Sequence, residues 1–341
     1  MTTRVLLIIH RYLGVTVGLL MAMWCLSGAV MMYVSFPVLS ERELLRGLSP
    51  LQLTECCTID ATALPDDSRI GQFRLLMMAG APVLHVEPES GTPQSFYLNS
   101  GRPFDAFNWA QTGQVAREFA AHSGIGGEPK AAYEVERDQW TVTGEYGRHR
   151  PLYRFRFDDR QKSDVYVSSS TGEVVLVTSR TDRFWNWLGG VPHWLYPTVL
   201  RTKPVLWSQI VIWTSLIGVF LTLTGLYVGI THIQRGRGRR WTPYHGFSLW
   251  HHIAGLCAGV LVFTWSLSGL LSMHPWGLLE GGSGAGNAMH SQRGAAFTAA
   301  ELRQFLQAVK NAKLSADIGV LASAADDGPL FVVAKVSPGP A

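Results

Sequence analysis

The chain has 341 residues, of which 47% are hydrophobic and 16% are charged, and its formal net charge is +4. Soluble domains usually carry about 25% charged residues, so this composition argues against a typical soluble enzyme and favours a membrane protein with a soluble portion. The sequence contains no Gly-x-Ser-x-Gly, His-Glu-x-x-His or phosphate-loop motif, so nothing in it resembles a hydrolytic site, and the catalytic residues are unknown. The basic run at 235–240 directly follows an apolar segment, so we expect it to set membrane orientation and predict no nucleic-acid partner.

The first apolar segment covers residues 12–34, which contain no charged side chain. It is long enough to cross the roughly 30 Å hydrocarbon layer of a bilayer, because a helix rises about 1.5 Å per residue. His10 and Arg11 precede the apolar run, and no clear small-x-small cleavage site follows it. We therefore interpret residues 1–35 as a retained transmembrane helix rather than a cleaved signal peptide.

Residues 36–203 have the composition of an extramembrane domain, with charged residues, proline and glycine at loop frequency. Two groups of strand-like runs predict two similar α+β units, with a helix between them near residues 110–121. The predicted strands are 73–78, 83–86, 95–98, 139–143, 152–157 and 164–167, with 173–175 beyond the last turn. Cys56 and Cys57 are adjacent and poorly placed to bridge one another, so we infer no disulfide framework.

A second uncharged segment, residues 205–230, predicts a transmembrane helix within 204–232. The loop at 233–249 carries the basic run and is expected in the cytoplasm by the positive-inside rule. Arg4 and Arg11 place the amino terminus on the same side. The domain at 36–203 is then expected on the opposite side, which is the periplasm in a Gram-negative cell.

A third apolar segment, within 250–273, is expected to return the chain to the periplasmic side. Residues 274–341 follow as an incomplete α+β unit. A glycine-rich linker at 281–286 leads to a predicted helix at 298–310, which opens with a Thr-x-x-Glu capping box. Two strands are predicted after the helix, at 318–322 and 330–336.

The first and third apolar segments are copies of one pattern, offset by 241 positions. The offset places His10 on His251, and the other matched pairs are Gly14/Gly255, Gly18/Gly259, Trp24/Trp265, Gly28/Gly269 and Met32/Met273. An α-helix turns about 100° per residue, so the marked residues of each copy share one helix face. In the second segment one face carries Gly218, Gly225, Gly229 and His232. The repeat also leads us to expect a fourth apolar segment, which the sequence does not contain.

The repeated glycines have two interpretations. Gly14-x-x-x-Gly18 and Gly255-x-x-x-Gly259 have the small-residue spacing that lets membrane helices pack closely. Alternatively, a flat prosthetic group lies against the glycine face, and the histidine at its rim is an axial iron ligand. The second interpretation is favoured because histidine is costly in a membrane segment and yet repeats together with the glycines.

Several of these motifs resemble the PepSY-associated transmembrane family, which includes haem-binding siderophore-iron reductases of the bacterial inner membrane. The motifs lie at 10–14, 250–255, 265–273 and 164–167, the last with 171–173. The resemblance implies a transmembrane helical bundle with periplasmic PepSY-like modules. It also implies four spans, where this sequence has three. A further departure is at residues 168 and 169, where serines replace the acidic turn residue that PepSY strands often carry.

The resemblance implies one or two haem b groups near opposite membrane faces. His10 and His251 are the first ligand pair, with His252 as a substitute ligand or a proton or propionate contact, and His232 as a further candidate. Gly14, Gly18, Gly255 and Gly259 would line the haem face. On the periplasmic side His193 matches a ligand position, but its partner would precede the missing span, and His274 is a poor substitute. The remaining histidines are expected to be ordinary ones: His85, His122, His149, His245 and His290.

Two functions are compatible with these features. In the first, the protein is an inner-membrane haem protein, a candidate ferric reductase, that passes electrons to a periplasmic acceptor such as a ferric siderophore. In the second, it is a non-enzymatic sensor whose modules bind a periplasmic peptide, protease or ligand. A homodimer with two copies of His193 on one haem, joined through the Gly218-Gly225-Gly229 face, is a further expectation.

Overall fold

A computed structural model describes residues 2–54, 56–234, 241–277, 297–312, 318–323 and 332–336. The predicted linker at 281–286, the basic run at 235–240 and His290 lie outside these residues. The chain divides into two compact units, each built from two separate stretches of sequence. The first unit is Met1–Ser35 with Trp185–Ser283, and the second is Phe36–Phe184 with Gly284–Ala341.

The first unit is helical. Its helices are α1 (Thr2–Met31), the short α5 (Gly190–His193) and α6 (Thr198–Arg201), α7 (Pro204–Thr231) and α8 (Gly246–Ser272). Within the described residues α1, α7 and α8 are long and apolar enough to cross a membrane, in agreement with the three predicted spans. Helix α8 begins four residues before the predicted start at 250. Residues 185–203, assigned to the soluble domain in the sequence analysis, belong to this helical unit.

Helix α7 is the centre of the helical unit, since it packs against both α1 and α8. Two of its hydroxyls are satisfied within the helix: those of Thr214 and Thr222 donate to the carbonyls of Ile210 and Gly218, one turn earlier. Such internal pairing suits a helix in lipid, where no water is present to pair with a free hydroxyl.

The second unit contains two antiparallel sheets. In the described part of the chain the larger sheet has the order β11-β10-β1-β2-β3-β4, with β9 also paired to β1. Its strands are β1 (Arg69–Met78), β2 (Ala81–Pro88), β3 (Gln94–Tyr97), β4 (Pro103–Phe104), β9 (Phe297–Thr298), β10 (Ile318–Ser323) and β11 (Val332–Val336). Helix α9 (Ala299–Asn311) begins at the predicted capping box of Thr298 and Glu301 and buries Leu302 and Leu306 in the core of this sheet.

The prediction that the carboxy-terminal elements form a separate unit is therefore wrong. Strand β10 pairs with β1 in the register Leu75 to Leu321, so the described part of 274–341 completes the sheet begun more than 200 residues earlier. Leu75 and Leu321 are both almost fully buried, at 0% and 2% exposure, in one core. Burial of apolar side chains from both stretches is the driving force for this pairing.

The smaller sheet has the order β5-β6-β7-β8. Its strands are β5 (Pro129–Val135), β6 (Leu152–Phe157), β7 (Asp164–Ser168) and β8 (Val174–Thr178), and α3 (Trp109–Ser123) packs on it. The predicted strand at 139–143 is wrong. Asp138 accepts hydrogen bonds from the backbone N–H groups of Trp140 and Thr141, and this folds the segment into a turn. The sheet edge is occupied instead by β5, which was not predicted.

Three further features differ from the sequence analysis. A short helix α2 (Glu41–Gly47), capped reciprocally by Ser40 and Glu43, was not predicted, and neither was α4 (Arg180–Leu188). Cys56 and Cys57 are joined by a disulfide, where no bridge was expected. The expectation assumed an ordinary backbone, whereas Cys57 has a left-handed conformation with φ of 89°.

Candidate functional site

His10 lies on α1 and its half-buried ring packs against α7. Its Nδ1 is 3.1 Å from the carbonyl oxygen of Leu221 and 3.4 Å from Oγ1 of Thr224. A carbonyl can only accept, so Nδ1 carries the proton and donates it to Leu221, and the lone pair is on Nε2. This is the arrangement that metal-bound histidines usually have, with the second nitrogen anchored to a backbone carbonyl.

His251, on α8, is exposed and faces His10. The two ring centroids are 6.2 Å apart and the ring planes are inclined by 38°. Two imidazoles on opposite sides of one metal would have centroids about 6.3 Å apart, given metal–nitrogen bonds of about 2.0–2.1 Å and roughly 1.1 Å from nitrogen to ring centre. The separation of the predicted pair therefore fits bis-histidine ligation of one iron.

The repeated glycines separate into two kinds. A Cβ added at Gly259 would lie 2.6 Å from the Leu226 side chain, so Gly259 serves close packing of α8 on α7. A Cβ added at Gly14, Gly18 or Gly255 would meet no atom of the described residues within 4 Å. Packing within the chain accounts for Gly259, and the other three glycines border open space on the helices that carry His10 and His251.

The glycine face of α7 is covered within the chain. Added Cβ atoms at Gly218, Gly225 and Gly229 would lie 2.9 Å from Met21, 2.7 Å from His10 and 3.1 Å from Leu256, respectively. The expectation that this face is an exposed seam for a homodimer is therefore wrong. Its small residues instead let α1 and α8 approach α7, because each glycine leaves room for a side chain of a neighbouring helix.

His252 has both ring nitrogens in hydrogen bonds and is only 5% exposed. Nε2 is 2.9 Å from the carbonyl oxygen of Gly229, to which it donates, and Nδ1 accepts from Oγ1 of Thr242 at 2.7 Å. Trp241 stacks on the ring, with centroids 5.5 Å apart. No lone pair is left for a metal in this arrangement, and the ring ties the segment before α8 to the end of α7.

His232 lies at the end of α7 and is anchored to its own helix, where Nδ1 donates to the Val228 carbonyl at 2.8 Å. Its ring is 5.9 Å from that of Tyr244, which also contacts His252. His232 therefore belongs to the group around His252. His274 is exposed in the turn after α8.

His193 ends α5 and lies against α1 and α8. Its Nδ1 is 3.1 Å from the carbonyl oxygen of Trp24 and 3.2 Å from Oγ of Ser27, so this nitrogen donates and Nε2 has the lone pair. Trp265 stacks on the ring at a centroid distance of 5.9 Å. Burial lowers the pKa of His193, although the Trp24 carbonyl acts in the opposite direction.

Two residues of this second position, Ser27 and Trp265, were not assigned a role from the sequence. Both belong to the repeated motif, in which Leu26-Ser27-Gly28 matches Leu267-Ser268-Gly269 and Trp24 matches Trp265. Gly28 explains the contact geometry, because its missing Cβ would lie 2.7 Å from the Trp265 ring and 3.1 Å from His193. The repeat signalled these residues, but it could not indicate that α5 would supply the histidine.

The two histidine positions are far apart along α1. His10 is on this helix, and His193 contacts it at Trp24 and Ser27, which are 14 and 17 residues further on. At a rise of about 1.5 Å per residue the separation along the helix is about 21–26 Å. This is most of the roughly 30 Å hydrocarbon thickness of a bilayer.

The second unit contains a cluster of ionisable residues next to a cleft. Arg74 pairs with Glu173 at 2.7 Å, and His149 contacts the Thr171 hydroxyl at 3.3 Å. Burial lowers the pKa values of His85 and His149. Burial opposes ionisation of Glu173, but Arg74 and the two histidines outweigh it and lower its pKa. The cleft has a volume of about 290 Å³; its lining includes Arg74, Tyr146, Arg148, His149 and Glu173. Nothing in the sequence around His85 or His149 indicated this cluster.

A helical unit with three membrane-length apolar helices, together with a sheet-containing unit, defines a membrane protein with an α+β portion. The model of the family described as the PepSY-associated TM region matches residues 7–327, and the chain belongs to this family. No curated protein and no solved structure matches the chain. Within the described residues no group of three or more His, Cys, Asp or Glu side chains is arranged to hold a metal ion.

Proposed function

We propose that this protein binds haem b in the bacterial inner membrane and passes electrons across the bilayer to a periplasmic acceptor. The observation that carries the proposal is the pairing of His10 and His251 at a centroid distance of 6.2 Å. When bound, the haem iron supplies one-electron redox chemistry. Ferric iron in a siderophore is the proposed acceptor class, and this choice rests on the resemblance to siderophore-iron reductases.

The residues present fit such a group. His10 has Nε2 free because Nδ1 donates to Leu221, and Gly225 leaves the space in which the ring is held. The glycines that border open space, Gly14, Gly18 and Gly255, leave room for a flat macrocycle beside the two histidine-bearing helices. Two histidine ligands from the protein are sufficient for a haem, so a three-residue metal cluster is not required.

His193 is the proposed ligand of a second haem near the other membrane face. Its ring is anchored through Nδ1 and stacked on Trp265, which would orient Nε2 and protect it from water. The position is about 21–26 Å from His10 along α1, a separation that suits two stations of one electron path across the membrane.

The proposed orientation has the amino terminus in the cytoplasm and the second unit in the periplasm. Arg4 and Arg11 favour the cytoplasm for the amino terminus, and the basic run at 235–240 favours it for the loop between α7 and α8. The pairing of β1 with β10 requires that residues 74–76 and 320–322 be on the same side, and two spans, α7 and α8, lie between them. An even number of crossings fulfils this requirement.

The proposal is tested by the reduced-minus-oxidised optical spectrum and the haem content of the detergent-purified protein. We expect b-type bands in the unaltered protein, and loss of one haem per chain in His10→Ala and in His251→Ala. His122→Ala is the matched control, since this exposed histidine lies near the end of α3 and its Nδ1 donates to the Glu118 carbonyl one turn earlier in the same helix. Unchanged haem content in both site variants would exclude the pair.

A second candidate function is supported by the cleft of about 290 Å³ in the second unit. Its lining combines apolar residues (Val38, Leu39, Leu44) with charged ones (Arg74, Arg148, Glu173), as ligand sites do. In this case the protein is a membrane-anchored sensor that binds a periplasmic peptide or ligand. A purified protein with no haem bands that nevertheless binds peptides at this cleft would favour the sensor over the electron carrier.

A further inference from the structure

The disulfide between Cys56 and Cys57 lies inside the core of the larger sheet. The two residues are 5% and 4% exposed and belong to the same apolar cluster as Leu64 and Phe96. The other two cysteines, Cys25 and Cys257, are free and lie on α1 and α8. The second unit thus has one bridged pair of cysteines, and the sulfur atoms of this pair are shielded in the folded state.

This bridge cannot act as a long-range cross-link. A disulfide stabilises a fold mainly by restricting the unfolded chain, and the gain grows with the number of residues between the joined positions. Cys56 and Cys57 are neighbours, so no residue lies between them and almost no chain freedom is removed. Restriction of the unfolded chain therefore does not explain why the two cysteines are bridged.

Both cysteines are docking points for helix α9. Nζ of Lys310 donates to the carbonyl oxygen of Cys56, and Nε2 of Gln307 donates to that of Cys57, each at 3.0 Å. The N–H of Cys57 donates to the Leu98 carbonyl at 3.0 Å, after β3. The conformation of this dipeptide consequently positions the carbonyls that hold α9 in place.

Cys57 has a left-handed backbone, with φ of 89°. A residue with a side chain avoids this region unless its surroundings enforce it, and such residues concentrate at ligand sites and switches. The ring formed by the bridge ties the side chain of Cys57 to its neighbour and restricts the backbone between them. Without the bridge, Cys57 is free to return to ordinary φ values, and its carbonyl would turn away from Gln307.

We propose that Cys56–Cys57 is a redox-active site of the soluble unit, reduced by a dithiol, and that its reduction releases helix α9. The proposal does not rest on haem binding. A thiolate of the dithiol attacks one Sγ, the bond between the two Sγ atoms breaks, and the other sulfur leaves as a thiolate that takes up a proton. The second thiol of the donor then resolves the mixed disulfide. The donor is oxidised by two electrons to its own disulfide, and Cys56 and Cys57 end as two thiols.

The chemical class of the partner is a dithiol with a reactive thiolate, as in Cys-x-x-Cys oxidoreductases. Because the sulfur atoms are almost fully shielded, attack requires α9 to lift from the dipeptide, at least transiently. Reduction then makes this open state more populated, since the carbonyls of Cys56 and Cys57 no longer hold Lys310 and Gln307.

The test uses the full-length protein in detergent with dithiothreitol as the probe. Alkylation in denaturant without reductant should modify the two free cysteines, Cys25 and Cys257, and all four after reduction. Hydrogen exchange of residues 299–311 should become about tenfold faster on reduction, as expected for the loss of two hydrogen bonds, and should return on reoxidation. Exchange of α3 serves as the internal reference.

Two variants complete the test. Cys25→Ser with Cys257→Ser should keep the full response, whereas Cys56→Ser with Cys57→Ser should show fast exchange at 299–311 and no response to dithiothreitol. Four alkylated cysteines without reductant would overturn the proposal, and so would exchange at 299–311 that is unchanged by reduction. The wild-type measurements decide the matter even where the double-serine variant fails to fold.

Discussion

Gly225 of α7 leaves the space that the ring of His10 occupies: a Cβ at residue 225 would lie 2.7 Å from Cε1 of that histidine. The contact joins the histidine of the first repeat copy, on α1, to a glycine of α7, the helix that lies between the two copies in the sequence. It also fixes how closely α1 approaches α7 at this level. The hydrogen bond from Nδ1 of His10 to Leu221 depends on the same approach.

Gly225→Ala is therefore expected to displace the His10 ring and to lower the haem content per chain. The matched control is Gly218→Ala on the same helix, where the added Cβ meets only the end of the flexible Met21 side chain. Haem content is measured as the pyridine haemochrome of purified protein. Equal loading of the two variants would show that the position of the His10 ring does not determine binding.

A bulky residue at Gly14 tests whether the open glycine face holds a cofactor. Since an added Cβ at Gly14 meets no described atom within 4 Å, Gly14→Leu should leave the fold intact and reduce haem binding. Val15→Leu is the control, because Val15 is the next residue on α1 and is 77% exposed. Full haem content in Gly14→Leu would contradict a cofactor on this face, and a loss of thermal stability would favour helix packing.

Thr242→Val should destabilise the helical unit without removing haem. His252 is buried, and the substitution leaves its Nδ1 without a donor, which costs about 1–3 kcal/mol. Thermal unfolding followed by circular dichroism measures the loss, and Thr231→Val, whose hydroxyl bonds only within its own helix and its neighbour His232, is the control. Loss of haem at unchanged stability would contradict a purely structural role for this hydrogen bond.

The histidines of the second unit predict a loss of stability in mild acid. Burial lowers the pKa values of His85 and His149 below the ordinary 6.5, so the unfolded chain binds more protons as the pH falls. The free energy of unfolding is therefore unaffected by these two histidines above pH 6.5. It decreases as the pH falls from 6.5 toward their lowered pKa values in the folded protein. The surroundings of the two rings include Glu173 and Glu87 as well as Arg74 and Arg148.

The effect is measured as the melting temperature at several pH values between 7 and 5, with tyrosine and tryptophan fluorescence as the signal. Hydrogen exchange in the second unit is the second probe. The melting temperature of His85→Gln should fall less between pH 7 and pH 5 than that of the unaltered protein, because the substitution removes one of the two groups that take up protons on unfolding. The control is His122→Gln, at an exposed position of α3. A melting temperature independent of pH over this range would contradict the prediction.

The sequence predicted the features that depend on local composition. The three spans followed from uncharged runs, and α9 followed from the Thr298–Glu301 capping box, since both signals lie within a few consecutive residues. The proximity of His10 and His251 followed from the repeat, because copies of one helix place equivalent residues at equivalent levels. The resemblance of the motifs to a family is confirmed by the family match over residues 7–327.

The sequence could not predict features that depend on distant partners or on unusual backbone. Nothing local indicates that β10 pairs with β1 rather than starting a new sheet, because strand choice is decided by which apolar surfaces meet in the core. His252 was a substitute ligand because it is adjacent to His251, but Thr242 and Gly229 occupy both of its nitrogens. The link between Cys56 and Cys57 depends on a backbone conformation that residue types alone do not specify.

The pairing of β1 with β10 also sets an order of events during synthesis. Strand β1 is made early, but its neighbour β10 follows α7 and α8 in the chain, so one edge of the sheet stays unpaired while both helices enter the membrane. An unpaired strand edge is a template for aggregation. Nascent chains that stall before residue 318 would therefore expose this edge, and completion of the sheet reports that both hydrophobic helices have been inserted.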